Sequence, residues 1–213
     1  GAVRAWVALE SGKFRQATAD LALSAVSARL APELAPLRLS SVHGRLHGGM
    51  ENGRYHVAGR SFAVGIEGSA VEPSDFELEW ASGPQARGRL EAASIALQPL
   101  GALAASLPLP EHVRKLLAEA RPRGRLAEVR LEWHGEPRAP SGLTARAKFI
   151  DLAAAPVGAL PGIAGITGSF DAAEGSARIV LATRKGELNL PRVFPQPRIA
   201  LDFVNGLVEW ERQ

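Results

Sequence analysis

The chain reads as mainly β: antiparallel strands curled into an open, U-shaped β-groove, with one short amphipathic helix. Three observations predict this. Apolar and polar residues alternate along most of the 213 residues. The 22 Gly and 15 Pro are scattered between the alternating runs. Several connections are only a few residues long, whereas parallel neighbours need crossovers of about a dozen residues or more.

In order, Val3–Leu9 places apolar residues at 3, 5, 7 and 9. Glu10-Ser11-Gly12-Lys13 is a turn signal, and Lys13–Leu23 continues with Ala17, Ala19, Leu21 and Leu23 in phase. Ala31–Pro36 holds two prolines and reads as a connector. Leu37–Leu46 and Tyr55–Ile66 flank a Gly-rich stretch ending in Asn52-Gly53, a hairpin signal because both residues tolerate positive φ. Asp75–Trp80 sends Phe76, Leu78 and Trp80 to one side and Asp75, Glu77 and Glu79 to the other. Ser82-Gly83-Pro84 turns the chain into Gln85–Leu97.

One region changes period. Val113, Leu116, Leu117 and Ala120 recur at helical spacing. Pro110 suits the start of a helix and Pro122 stops it. Glu111 and Lys115 form a favourable i, i+4 pair. A helix is predicted over 111–120, with a further helical turn near Leu100–Leu107. Strands then resume at Leu126–Trp133, Leu143–Ile150, Ile166–Phe170, Ala177–Leu181, Glu187–Leu190, Ile199–Phe203 and Leu207–Trp210. Glu174-Gly175-Ser176 and Lys185-Gly186-Glu187 read as turns. The organisation expected is a β-groove segment over 1–97, a helical insertion over 98–121 and a second β-groove segment over 122–213. All three read as one continuous fragment of a longer chain.

Composition narrows the function. Lys+Arg number 25 and Asp+Glu 22, interleaved, for a formal net charge of +3. The densest basic cluster is Arg121, Arg123, Arg125 and Arg130. It lacks the stacking aromatics of a nucleic-acid groove and reads as a solvated strand face. No nucleic-acid partner is expected. There is no Cys. No run approaches the ~18–20 apolar residues of a membrane-spanning helix.

No nucleophile elbow, phosphate-binding loop or dinucleotide fingerprint occurs. Gly162, Gly165 and Gly168 recur every third residue and signal only a flexible turn. His43 and His47 would suggest a metal on a helix. On a strand they lie about 13 Å apart, too far for two bonds of about 2 Å to one ion. His47 and His56 can face each other across the 48–53 turn, but lack a third ligand. Glu77, Glu79, Glu128, Arg130 and Glu132 read as an outer face with cross-strand charge pairing. Trp6, Trp80, Trp133 and Trp210 read as caps at the edge of the apolar face, each indole N–H reaching water or a carbonyl. The chain is expected to be no enzyme and to use no cofactor and no metal.

Several stretches together resemble one family. They are Leu109-Pro110 leading into the helix, Arg121-Pro122-Arg123-Gly124-Arg125-Leu126, and Ala147-Lys148-Phe149-Ile150-Asp151-Leu152. Then come residues 160–170 (LPGIAGITGSF), Asn189-Leu190-Pro191-Arg192-Val193-Phe194 and Asn205-Gly206-Leu207-Val208-Glu209-Trp210. The likeness covers 37–213 loosely and is best over 99–213. It is to the YhdP family of AsmA-like bacterial envelope proteins.

The resemblance implies a periplasmic segment of a longer protein, anchored in the inner membrane of a Gram-negative bacterium. It implies that the whole bridges to the outer membrane and carries phospholipid along a β-groove, supporting the outer-membrane permeability barrier. Expected partners are phospholipid acyl chains, other segments of the same long chain, and both membranes through parts outside this chain. The candidate lipid-lining residues are those in phase on the apolar face: Phe76, Leu78, Trp80, Val129, Leu131, Trp133, Leu143, Ala145, Ala147, Phe149, Ile179, Leu181, Ile199, Leu201 and Phe203. The alternatives are a non-transporting structural or assembly scaffold with a sealed β core, and a glycan-binding or enzymatic β-domain using the tryptophans.

Overall fold

A computed structural model describes residues 1–66, 72–83, 86–107, 109–135 and 141–211. Among the described residues eleven strands form a single antiparallel sheet in strict sequence order. They are β1 Ala2–Glu10, β2 Lys13–Ala28, β3 Leu37–Glu51, β4 Arg54–Gly65, β5 Ser74–Ala81 and β6 Arg87–Ala96. After the helical insert follow β7 Arg123–His134, β8 Ser141–Ala154, β9 Gly162–Ala173, β10 Ser176–Asn189 and β11 Arg198–Glu211. β1 and β11 do not pair with each other, so the sheet is open and not a barrel.

The meander makes the two rims of the sheet unlike. On one rim short connections join β1 to β2, β3 to β4 and β9 to β10, through Ser11-Gly12, Asn52-Gly53 and Glu174-Gly175. The opposite rim carries the longer connections, including 29–36, 155–161 and 190–197. It also carries the insert between β6 and β7.

That insert holds helix α1 (Leu97–Leu103), a 3₁₀ turn (Ala104–Ser106) and helix α2 (Glu111–Ala120). α2 has the bounds its periodicity predicts. Lys115 pairs with Glu111 at 2.8 Å. Arg121 takes the left-handed conformation and donates its N–H to Leu117 O at 3.1 Å, closing the helix before Pro122. Among its described residues the insert therefore has two helices, not one. α1 begins at Leu97, and β6 ends one residue earlier.

Strand bounds differ from the sequence reading in two informative places. Lys185-Gly186-Glu187 is not a turn, because β10 runs unbroken through it with Lys185 at φ 59°. Asn205-Gly206 likewise lies inside β11. Pairing with β9 and β11 holds Gly186 in β10, and pairing with β10 alone holds Gly206 in β11, where an isolated strand would use either glycine to turn. Pro84 and Gln85, read as the end of a turn and the start of a strand, lie outside the described residues.

Positive φ recurs inside strands at Ala25, Gly44, Ser61, Glu128, Asp151, Gly165 and Lys185. Register shifts fall beside several of them, in the β3–β4, β7–β8, β8–β9 and β9–β10 pairs. An extra residue in one strand bends it and increases its twist. The irregularities sit beside one another across strands. A Cβ on Gly44 would meet Ser61 O, one on Gly124 would meet Asp151 O, and one on Gly165 would meet Lys185 O. The result is two runs of bends, one across β3 and β4 and one from β7 to β10.

Candidate functional site

The pairing registers sort the side chains into rows, because directly paired residues share a face. One row crosses all eleven strands: Val7, Ala17, Gly48, Val57, Leu78, Leu90, Leu131, Ala145, Ala172, Ala177 and Trp210. Every member is apolar. At about 4.8 Å per strand the row runs roughly 48 Å along the hydrogen-bonding direction. A second row on this face links Ala5, Ala19, Leu46, Gly59, Phe76, Ala92 and Val129.

One residue along each strand, the neighbouring row is the opposite in character. It reads Trp6, Thr18, His47, Ala58, Glu77, Glu91, Arg130, Arg146, Asp171, Arg178 and Glu209. Its charges are cross-linked. Arg130 donates to Glu91 at 2.7 Å, Arg146 to Asp171 at 2.8 Å, and Arg178 lies 3.4 Å from Glu209. Arg60 reaches Glu77 from the adjoining position. The hydrogen bond from Arg89 holds the Glu91 carboxyl below its ordinary pKa. His47 accepts from or donates to Thr18 at 2.8 Å, and its ring centre lies 5.2 Å from that of His56. The two histidines thus meet as their spacing predicts. Among the described residues no group of three His, Asp or Glu gathers as a metal site.

The candidate lining residues fall as follows. Phe76, Leu78 and Trp80 of β5 stand on the apolar face, as do Val129, Leu131 and Trp133 of β7. So do Leu143, Ala145, Ala147 and Phe149 of β8, and Ile179 and Leu181 of β10. Ile199 joins a separate apolar row, Ala154, Ile163, Leu188 and Ile199, beyond the bend at Lys185. Leu201 pairs with Gly186. Phe203 differs. It pairs with Arg184, on the side of Arg178 and Glu209, and is 60% exposed.

The tryptophans divide. Trp80, Trp133 and Trp210 are on the apolar face, whereas Trp6 pairs with Thr18 on the charged one. Tyr55 stacks on Trp80 with ring centres 5.1 Å apart. The Trp133 ring lies over Gly88, and its Nε1 is buried with no protein partner, where the sequence reading expects one.

Sequence reasoning missed two features of this face. Rings lie over cross-strand glycines at Phe76 with Gly59, Trp133 with Gly88 and Phe149 with Gly168. The residue types are visible in sequence, but the register that joins them is not. Thr183, fully buried, accepts from Thr167 N–H at 3.0 Å and donates to Thr167 O at 3.1 Å, so its burial leaves no polar group unpaired.

The apolar face is not sealed. The chain exposes 14145 Å², where a compact monomer of this mass exposes about 9,500 Å². Three buried residues, Leu39, Val42 and Ile66, make a small cluster, with Leu103 of α1 packed on it. Beside that cluster a cavity of about 800 Å³ lies between the insert and the sheet. Among the described residues no helix is long and apolar enough to cross a membrane.

No curated protein and no solved structure matches the chain. A family model does, described as YhdP protein, over residues 1–213. The chain belongs to the YhdP family of AsmA-like bacterial envelope proteins.

Proposed function

We propose that this chain is a periplasmic stretch of a bridge that carries phospholipid between the inner and outer membranes. Acyl chains would lie on the apolar face while head groups stay in water. The observation that supports this most is the unbroken apolar row from Val7 to Trp210, left open to solvent beside a row that is charged at every strand from Glu77 to Glu209. A protein that keeps such a face uncovered needs an occupant for it. Each methylene buried there contributes about 0.8 kcal/mol. The lining is aliphatic and small at Ala17, Gly48, Ala145, Ala172 and Ala177. Such a surface holds a chain without fixing it, which suits passage along the row.

The edges fit the same reading. β1 and β11 are long, exposed and rich in apolar residues. Sheet edges of that kind pair with further strands. Here those strands would come from other segments of the same long chain, extending the row in both directions. A scaffold with a sealed core is disfavoured by the exposed area above.

The test is a photo-crosslinking residue in place of Leu131, and separately of Glu132, in the whole protein in Gram-negative cells. Phospholipid attached at 131 and not at 132 is the expected result. Lipid at neither position would sink the conduit and favour the scaffold.

A further inference from the structure

We infer that the helical insert forms a roofed acyl-chain site on the apolar face, between itself and strands β3–β8. The lipid chemistry of its occupant rests on the conduit reading above, whereas the site itself rests on the geometry that follows.

The insert is fastened at two distant points. Ala35 donates its N–H to Ala105 O at 3.3 Å, and the Ser106 hydroxyl donates to Pro36 O at 3.2 Å. At the other end Ala155 donates its N–H to Ala120 O at 2.7 Å. Ala35 and Pro36 belong to the β2–β3 connection and Ala155 to the β8–β9 connection. Six strand spacings separate these connections, about 29 Å at ~4.8 Å each. The insert therefore lies along the axis of the apolar rows, not across them. Ala104 and Ser106 are buried, so the 3₁₀ turn is seated and not swung free.

Between these fastenings the insert touches the sheet through Leu103, packed on the Leu39, Val42 and Ile66 cluster, and leaves space beside that contact. Leu100, Leu103 and Leu107 face a cavity floored by Phe62, Phe76 and Leu90. Its volume, about 800 Å³, lies within the ~300–1,000 Å³ typical of small-molecule sites. The floor is the same apolar face that carries the open rows: Leu90 belongs to the eleven-strand row and Phe76 to the next. A chain on the open face therefore reaches the roofed part without crossing a polar group.

The chemistry inside selects for hydrocarbon. The hydroxyl of Ser74 accepts from Ser94 N–H at 2.9 Å and donates to Asp75 O at 3.3 Å, so it is already used. The charged residues of the lining, Glu72, Arg125 and Asp151, are all solvent-exposed, and Arg125 lies 3.6 Å from Glu72. Away from those three, over Phe62, Phe76, Leu90 and the leucines of the insert, a sugar or nucleotide would lose its hydrogen bonds to water without replacement. An acyl chain loses nothing and spans about 15 Å, half the ~30 Å hydrocarbon thickness of a bilayer. That length fits beneath the insert.

The experiment uses the whole protein in Gram-negative cells, with a photo-crosslinking residue at 103 in one version and at 131 in another. Phospholipid on both is the expected result. Lipid at 131 but not 103 overturns the roofed site and leaves the conduit standing. Lipid at 103 but not 131 overturns the conduit and keeps the roofed site as an isolated pocket. Lipid at neither overturns both. Position 107, only half-buried, replaces 103 if that version is poorly made. As a second measurement, Ser94→Trp fills the cavity floor and should abolish labelling at 103 while sparing 131. Undiminished labelling at 103 in that variant would also overturn the site.

Discussion

Phe149 packs its ring over Gly168, its direct partner across the β8–β9 pair. Ring atoms lie 2.7 and 3.0 Å from the point that a Cβ on residue 168 would occupy, and Val180 O is closer still. The ring thus occupies the place that a side chain at 168 would take. Trp133 and Gly88 repeat the arrangement.

Gly168→Ala is therefore expected to destabilise the chain. The ring can turn away, but the Val180 carbonyl is backbone held in a ladder and cannot. Overpacking of this kind costs about 1–3 kcal/mol. Gly206→Ala is the control. Nothing lies within 4 Å of a Cβ there, and such substitutions usually stay within about 0.5 kcal/mol. Denaturant midpoints of the two variants check this. Equal midpoints would mean that the Val180 carbonyl, like the ring, gives way to a side chain at 168.

The charged face should give the chain an acid-sensitive component of stability. Hydrogen bonds from Arg89 and Arg130 hold Glu91 below its ordinary value of 4.5. A carboxyl whose pKa is depressed by folding adds stability above its unfolded value, and that stability is lost as pH falls through the folded one. Glu91→Gln should therefore lower the denaturation midpoint at pH 7. The gap to the parent chain should shrink as pH drops below about 4.5. Glu91 is partly exposed, so the effect should be small and should weaken with added salt. A gap that widened on acidification would contradict the assignment.

Much of this was legible in sequence. Glu77, Glu79, Arg130 and Glu132 announce a solvated face by alternation alone, and Phe76, Leu78, Leu131 and Trp133 announce its reverse. The bounds of α2 follow from spacing and its flanking prolines. What stayed hidden depends on partners. α1 contains Pro99 and Gly101, a poor helical sequence, and its seat against Leu39 and Val42 is tertiary. Lys185-Gly186 and Asn205-Gly206 carry turn chemistry, yet strand pairing carries the chain through both, at Lys185 with a left-handed φ of 59°. Phe203 falls on the charged side because its register is set by Arg184 across the ladder, and no local pattern encodes that. The long apolar row is likewise a property of ten registers together.

If acyl chains move along that row, its stretch of small residues should be sensitive to charge. Ala172 sits between Ala145 and Ala177 with small neighbours on both sides. Ala172→Glu places a carboxylate in the path. A charge held in hydrocarbon costs about 2.5–3.5 kcal/mol, enough to slow passage by roughly a hundredfold or more. Cells carrying the variant should become sensitive to large antibiotics that the outer membrane normally excludes. Asp171→Ala, one residue away on the charged face, should leave the barrier intact. The readout is growth inhibition alongside immunoblotting for equal protein. If Ala172→Glu preserved the barrier at parental protein levels, lipid would not travel over β9.

The last expectation concerns the edges. Val3, Val7 and Leu9 of β1 and Ile199, Leu207, Val208 and Trp210 of β11 are all exposed large apolar residues. Soluble proteins usually blunt such edges with charge, proline or a covering element. β1 carries Arg4 and Glu10 but no proline, and its strand mates lie on one side only. The 213-residue chain purified alone should therefore associate through its edges as concentration rises. Val7→Lys with Val208→Lys places a charge on each edge within the apolar face and should shift it toward the monomer. Light scattering after size-exclusion chromatography measures this. A parent chain that stayed monomeric across the full concentration range would show that its edges are closed to strand addition, and would remove the argument that neighbouring segments extend the sheet there.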